Sequence, residues 1–199
     1  MVTKLIIVDG MDNTGKSTLI ARLTKVLESL GNTTITIHSQ KPPKDIAPED
    51  TSAYQHKYYL DLINMLATLK SERKYDYIIL DRGWISEYVY GPLYRNRGKQ
   101  EIVEDNIVLD KKVLSLFNIP SDVYLIMLLG STKFLLSRED GKSLSDNDES
   151  LIELERTEFE KGYDYSLIDK KIYYEVDSDN EYIEILPDVC RNILFQINY

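Results

Sequence analysis

Apolar residues along this chain follow two patterns, short continuous runs and longer stretches with helical spacing. Continuous apolar runs are typical of strands that are buried on both faces. They predict strands at residues 5–8, 77–80, 123–129 and 171–176, and a β-branched stretch at 33–38 adds a fifth. Helical spacing predicts helices at 19–30, 51–73, 102–117 and 151–159, one starting near 132, and a last one from about 180.

The first predicted strand leads directly into residues 10–17, which fit the phosphate-binding pattern G-x-x-x-x-G-K-[ST]. A strand, a glycine-rich turn and a helix in this order direct several backbone N–H groups and the positive end of the helix dipole at one spot. We expect Lys16 to be exposed and to reach the β- and γ-phosphates, and the Ser17 hydroxyl to bind Mg²⁺. The residues predicted to surround the phosphates of a nucleoside triphosphate are Gly10, Asp12, Asn13, Thr14, Gly15, Lys16, Ser17 and Thr18.

The alternation of strands and helices predicts the fold class. Strands that alternate with helices form a parallel sheet covered on both faces. The sequence therefore predicts an α/β protein with the three-layer P-loop NTPase fold: a five-stranded parallel sheet, flanking helices and a short lid at about 138–150. We expect residues 1–199 to form a single domain, because no repeat or linker divides them.

Charge and cysteine content limit the possible partners. The net charge of −9 is unfavourable for a protein that grips a nucleic-acid backbone, so a small nucleotide is expected instead of polymeric nucleic acid. Cys190 is the only cysteine, which suits the reducing cytoplasm, and we interpret it as a core residue. Without a signal peptide or a long apolar stretch, no membrane association is expected.

Asp81 and Arg82 come directly after the predicted strand at 77–80. In open parallel sheets, ligands bind beyond the carboxyl ends of the strands, so this pair is expected near the phosphate-binding loop. The Asp81 carboxylate is suited to hold a water on Mg²⁺ or to take a proton from an acceptor. The planar guanidinium of Arg82 is suited to a phosphate.

Four segments resemble thymidylate kinases, in the order that the family has them. Residues 81–90 (DRGWISEYVY) resemble the family's D-R-Y-x-x-S-x-x-A-Y, and residues 8–12 (VDGMD) resemble its F-E-G-x-D. Residues 156–163 (RTEFEKGY) and 175–178 (EVDS) are similar to the segment after the family's lid and to its I-D-A-S turn. Within the family, the sequence looks most like the phage-type deoxynucleoside monophosphate kinases.

This resemblance implies transfer of the ATP γ-phosphate to the 5′-phosphate of a deoxynucleoside monophosphate, with ATP and Mg²⁺ as cofactors and a homodimer as the expected assembly. Asp12 is expected at the acceptor 3′-hydroxyl, and Asp9 near the phosphates, where it could hold a metal-bound water. The other implied roles are phosphate contacts for Lys16 and Arg82, lid cations at Arg138 and Lys142, and adenine contacts for Asp177 and Ser178.

The resemblance also implies an acceptor pocket, lined by Tyr54, Lys57, Ser86, Glu87, Tyr90 and Tyr163. Glu87 departs from the family. Because a carboxylate only accepts hydrogen bonds, Glu87 could pair with an N–H of thymine or guanine, which favours dTMP or dGMP, or it could equally bind the sugar or a water. The family's arginine near residue 57 is not evident, since Lys57 or Tyr58 falls there.

Two other functions remain open, and a third, a kinase that acts on modified bases in DNA, is disfavoured by the acidic charge. A deoxynucleoside kinase would phosphorylate a free 5′-hydroxyl and would need a base, for which Asp9 is a candidate. A nucleotide-dependent switch of the GTPase type would need an Asn-Lys-x-Asp segment, which this sequence lacks.

Overall fold

The computed structural model describes residues 2–43, 45–47, 50–117, 122–138, 141, 143–178, 187 and 190–195. Five strands alternate with helices along this part of the chain. The elements are β1 (Lys4–Gly10), α1 (Lys16–Ser29), β2 (Thr34–His38), α2 (Thr51–Glu72), β3 (Tyr77–Asp81), α3 (Ile85–Tyr94), α4 (Lys99–Phe117), β4 (Val123–Gly130), α5 (Thr132–Ser137), α6 (Glu149–Tyr165) and β5 (Lys170–Val176). Residues 190–195 are helical as well.

The five strands form one parallel sheet in the order β2-β3-β1-β4-β5. Because β1 is central and all strands run the same way, the carboxyl ends of β1, β2 and β3 meet at one edge. At that edge Asp81 is paired in register with Val8 on one side and with His38 on the other. Helix α1 contacts β1, β2 and β3. Helix α3 contacts β1, whereas helices α4 and α6 contact β4. The predicted three-layer α/β fold is confirmed.

Burial of the strands explains why their sequences differ. All eight residues of β4 are buried, as are six of the seven in β1, because neighbouring strands and helices surround both. Fully burying a Leu or Ile side chain contributes about 1.5–3 kcal/mol. Strand β2 lies at the edge of the sheet and is only half-buried, which fits its alternation of threonine and isoleucine.

Element ends follow local signals in the sequence. Gly31, which directly follows the predicted first helix at 19–30, takes φ +84° and donates its N–H to the Glu28 carbonyl at 2.9 Å. Asn32 donates to the Leu27 carbonyl at 3.1 Å, completing a Schellman-type helix end. Cys190 is buried, as predicted, although most of the predicted last helix lies outside the described residues. In the described part of the chain, no helix has the length and apolar character needed to cross a membrane.

Candidate functional site

The turn between β1 and α1 has the geometry of a phosphate-binding loop. Gly10 has φ +133°, and a Cβ atom there would lie 1.9 Å from the Leu128 carbonyl oxygen, so the close approach of β1 to β4 requires glycine. The Thr14 hydroxyl donates to the Met11 carbonyl at 2.9 Å and holds the turn together. Gly15 is the N-cap of α1 at φ +84° and brings no capping side chain. The first turn of α1 is therefore shaped to receive an anion.

Lys16 corrects one expectation, because its side chain is buried and not exposed. Only 7% of the residue is accessible, and its ammonium group donates to the Met11 carbonyl within the loop. Burial, with the nearby positive charge of Arg82, lowers the pKa of Lys16 from 10.5 to about 7. A bound triphosphate would supply the negative charge that favours the ammonium form.

The loop borders a cleft of about 380 Å³, called here the phosphate cleft. Its lining residues come from the loop, α1, β3 and the end of α5: Asp12, Asn13, Gly15, Lys16, Ser17, Thr18, Asp81, Arg82 and Arg138. The cleft thus brings together the carboxyl ends of β1 and β3 with the amino end of α1, and its lining includes most of the predicted phosphate-binding residues.

Ser17 and Asp81, the two predicted metal ligands, meet in the phosphate cleft. The Ser17 hydroxyl lies 3.4 Å from a carboxylate oxygen of Asp81, and the same oxygen lies 2.9 Å from Nδ1 of His38. Two protein oxygens beside a phosphate site fit Mg²⁺, which usually keeps several waters and binds one or two carboxylates together with substrate phosphates. Among the described residues, no cluster of three or more His, Cys, Asp or Glu side chains offers a metal cage.

Arg82 lies between the phosphate cleft and a second cavity beside it. Its backbone takes φ +70°, fixed by a hydrogen bond from its N–H to the Val8 carbonyl at 2.9 Å. Its guanidinium donates to the Gly10 carbonyl at 2.8 Å and to the Asp12 carboxylate. The same group lies 3.4 Å from the Ser86 hydroxyl. Arg82 and Asp12 line both the phosphate cleft and the second cavity.

Asp9 does not have the role expected of it. The residue is fully buried, and its carboxylate accepts hydrogen bonds from the N–H groups of Gly10, Gly83 and Ser86 and from the Ser86 hydroxyl. Burial raises the pKa of Asp9, while Arg82 and these donors oppose the rise. With both oxygens occupied and no access to solvent, Asp9 fixes the turn between β3 and α3 and is not placed to hold a metal-bound water.

The second cavity, called here the acceptor cavity, lies on the other side of Arg82. The predicted residues Ser86, Glu87 and Tyr90 line it from α3. Its other lining residues are Asp12, Ser39, Gln40, Lys41, Gln55, Tyr59, Arg82, Arg95 and Leu144. The volume of this cavity is about 30 Å³, far smaller than the 380 Å³ of the phosphate cleft. A nucleoside therefore enters only if some of these side chains move.

Polar groups are deeply buried in the acceptor cavity. Glu87 is 3% exposed, and one of its carboxylate oxygens is paired with the Arg95 guanidinium. The guanidinium groups of Arg82 and Arg95 lie 5.7 and 6.0 Å from the centre of the Tyr90 ring. Within the described residues, three buried polar atoms of this cavity have no hydrogen-bond partner: Oε2 of Glu87, the Tyr90 hydroxyl and Oε1 of Gln55.

Tyr54 and Lys57 were expected in the acceptor pocket and are not found there. Neither lies among the residues that line either cavity. The Lys57 side chain is 76% exposed and pairs with Asp61 one turn later, at 2.6 Å. The buried positions of α2 include Gln55 and Tyr59, so the helix turns its positions 54 and 57 away from the cavity.

Tyr163 also lies away from the site. Its ring centre is 5.9 Å from that of Tyr173, and the Lys171 ammonium lies 5.2 Å from the Tyr163 ring. Lys171 is the second residue of β5, at the amino end of a parallel strand, whereas the two cavities lie at the carboxyl edge of the sheet. Tyr163 therefore packs α6 against β5 and is not among the residues that line either cavity.

The predicted lid is only partly described. Arg138 lines the phosphate cleft and lies 5.4 Å from the Phe134 ring centre, whereas Lys142 falls outside the described residues. Within the predicted lid, Leu144 lines the acceptor cavity and Ser145 is buried. This segment ends earlier than predicted, because α6 begins at Glu149.

Asp177 and Ser178 follow β5 directly, at the same edge of the sheet as the loop, and both are exposed. Neither is among the residues that line the phosphate cleft. Their contact with adenine remains a prediction.

The residues of the site that the sequence did not predict include Gln55, Arg95 and His38. Gln55 had a detectable signal, because it occupies a polar position in the buried stripe of α2 that continues through Tyr59, Leu62 and Leu66. Arg95 had none, because it follows the last residue of α3 and reaches Glu87 only through the way the chain leaves that helix.

Comparison with known proteins extends the result for the fold. No protein-family model matches the sequence, and no curated protein does either. Among solved structures, the chain is similar to the YorR protein of Bacillus subtilis in complex with phosphorylated GDP, with a TM-score of 0.62, 16% identity and coverage of 98% of each chain. At this identity the similarity concerns the fold alone, and it agrees with the α/β architecture described above.

Proposed function

We propose that this protein is an ATP-dependent deoxynucleoside monophosphate kinase, which transfers the γ-phosphate of ATP to the 5′-phosphate of a deoxynucleotide such as dTMP or dGMP. The observation that carries the proposal is the shared wall between the two cavities. Arg82 and Asp12 line both of them, so a triphosphate in one and an acceptor in the other would meet at the Arg82 guanidinium. The nucleotide in the similar YorR structure is consistent with a nucleotide site in this fold.

The charge of the shared wall favours a monophosphate acceptor over a free nucleoside. A nucleoside kinase needs a base at the acceptor hydroxyl, but Asp9 is buried and occupied by hydrogen bonds, and Asp81 faces the phosphate cleft with Ser17 and His38. The group that the structure places at the junction is a cation, Arg82. A guanidinium is suited to binding a phosphate through paired N–H···O bonds.

Phosphoryl transfer depends on positioning and on stabilising charge. Lys16 would turn from the Met11 carbonyl to the phosphates of ATP, and Ser17 and Asp81 would hold Mg²⁺, which neutralises charge on the transferring group. Arg82 would leave Asp12 to hold the acceptor phosphate, and Asp12 would then accept from the acceptor 3′-hydroxyl. Leu144 and its neighbours would help to exclude water, which otherwise competes as the acceptor.

A nucleotide-dependent switch is the remaining alternative, and one feature argues against it. A switch needs one nucleotide site, whereas this chain has a second cavity with buried polar groups next to the first. Buried polar atoms normally have partners, so these groups are suited to a second ligand.

Replacement of Arg82 tests the proposal. Loss of a charge-assisted contact costs about 2–3 kcal/mol, so Arg82→Ala should lower kcat/KM for the monophosphate roughly 100-fold, while ATP affinity changes only a few-fold. Arg22→Ala, which removes an exposed arginine from α1, is the matched control and should behave like the wild type. Faster phosphorylation of the nucleosides than of their monophosphates by the wild type would contradict the proposal.

A further inference from the structure

Two hydrogen-bond acceptors of the acceptor cavity have no donor. Oε2 of Glu87 and Oε1 of Gln55 are buried with no hydrogen-bond partner in the described part of the chain, and both residues are at most 3% exposed. Leaving such groups unsatisfied is unfavourable, and their burial is expected where a ligand supplies the missing donors. The cavity therefore calls for a ligand with at least two donors.

The cavity also contains one donor in a fixed relation to these acceptors. The Arg95 guanidinium pairs with Oε1 of Glu87, the other oxygen of the same carboxylate. It thereby orients that carboxylate and leaves Oε2 without a partner. A guanidinium has five N–H groups, so Arg95 can also donate to a ligand. Arg95 is 13% exposed at its side chain, so this pair is largely shielded from water. The small acceptor cavity is thus lined by two acceptors without donors, by the Arg95 guanidinium, and by the Tyr90 hydroxyl, which can donate or accept.

The edges of the four bases match this pattern to different degrees. Guanine presents the O6 acceptor next to two donors, N1–H and the 2-amino group. Thymine presents one donor, N3–H, between two carbonyl oxygens, so one buried acceptor would face a carbonyl. Adenine and cytosine each present one amino group next to an unprotonated ring nitrogen, which would face a carboxylate.

We infer that the acceptor cavity selects guanine, and that Arg95 and Gln55 determine this choice together with Glu87. Oε2 of Glu87 and Oε1 of Gln55 accept from N1–H and the 2-amino group, and Arg95 donates to O6. The inference rests on the proposed function for the identity of the acceptor as a monophosphate. It narrows the dTMP-or-dGMP choice to dGMP.

Binding of nucleotides in the absence of ATP tests the inference independently of catalysis. Calorimetric titration of the wild type with dGMP, dIMP, dTMP, dAMP and dCMP should give dGMP the highest affinity. dIMP is the decisive probe because it keeps N1–H and O6 and lacks only the 2-amino group. We expect dIMP to bind about tenfold more weakly, the effect of one lost hydrogen bond to a buried partner.

Two variants test which residues recognise the base. Gln55→Leu should lower the affinity for dGMP about tenfold and leave the affinity for dIMP nearly unchanged, so the ratio of the two affinities approaches one. Glu87→Gln should weaken both nucleotides, because it replaces the acceptor for N1–H with an amide. Gln100→Leu, an exposed glutamine on α4, is the matched control and should keep the wild-type ratio.

The outcomes separate the two proposals. Equal binding of dGMP and dIMP, or tighter binding of dTMP, by the wild type would overturn the guanine inference even if phosphoryl transfer is observed. A dGMP-to-dIMP ratio that Gln55→Leu leaves at its wild-type value would overturn the role of Gln55. Selective dGMP binding without any transfer from ATP would uphold the guanine site and reject the kinase.

Discussion

Replacing Lys16 by methionine is expected to abolish phosphoryl transfer and, at neutral pH, to stabilise the free protein. The ammonium of Lys16 is buried, and its pKa falls from 10.5 to about 7 mainly through burial, with the Arg82 charge adding to the effect. Between these pH values the unfolded chain holds a proton that the folded protein has released, so stability rises as pH increases. For this shift, the free energy of unfolding should rise by roughly 2 kcal/mol from pH 7 to pH 9.

Methionine has nearly the length of lysine without its charge, so Lys16→Met should remove this pH dependence. The assay is urea unfolding at pH 7, 8 and 9 without nucleotide, with the wild type, Lys16→Met and the control Lys25→Met, which removes an exposed lysine from the same helix. From pH 7 to pH 9 the free energy of unfolding should rise by the same amount in the wild type and in Lys25→Met. In Lys16→Met this rise should be smaller by roughly 2 kcal/mol. The same dependence of the free energy of unfolding on pH in all three proteins would refute the claim that burial lowers the pKa of Lys16.

Two further substitutions test the loop and the metal site. Gly10→Ala should destabilise the protein by about 3 kcal/mol or more in thermal or chemical unfolding, because the new Cβ would lie 1.9 Å from the Leu128 carbonyl oxygen. Gly31→Ala is the control, because no atom lies within 4 Å of the new Cβ there. It should destabilise the protein by only about 1–2 kcal/mol through backbone strain. Ser17→Ala should raise the Mg²⁺ concentration for half-maximal activity about tenfold with little change in stability, as a magnesium titration of initial rates would show, since one of the two protein oxygens is lost.

The sheet and the phosphate-binding loop were predictable because each depends on local sequence. An apolar run such as residues 123–129 has the length and continuity of a central parallel strand and becomes β4. The G-x-x-x-x-G-K-[ST] pattern requires glycine at position 10, where two strands approach closely. Ser17 and Asp81 were expected together because the carboxyl ends of neighbouring parallel strands meet at one edge.

The acceptor cavity was less predictable because it depends on how α2 is rotated about its axis and on the path of the chain after the end of α3. A rotation of about 100° per residue separates Tyr54 from Gln55 on α2, and only the second position faces the cavity. Arg95 reaches Glu87 from beyond the end of α3, a contact that spacing along the sequence does not reveal. Asp9 was misjudged for a different reason: its place next to the loop suggested the phosphates, whereas its carboxylate satisfies the backbone of the turn before α3.

The most direct test of the central claim is to follow the phosphate itself. The wild type is incubated with Mg²⁺, ATP labelled at the γ-phosphate and either a deoxynucleoside monophosphate or its nucleoside, and the labelled products are identified by mass spectrometry. We predict that the label becomes the β-phosphate of a deoxynucleoside diphosphate, one for each ADP formed. Label found only in inorganic phosphate, or on the 5′-oxygen of the nucleoside, would contradict the account.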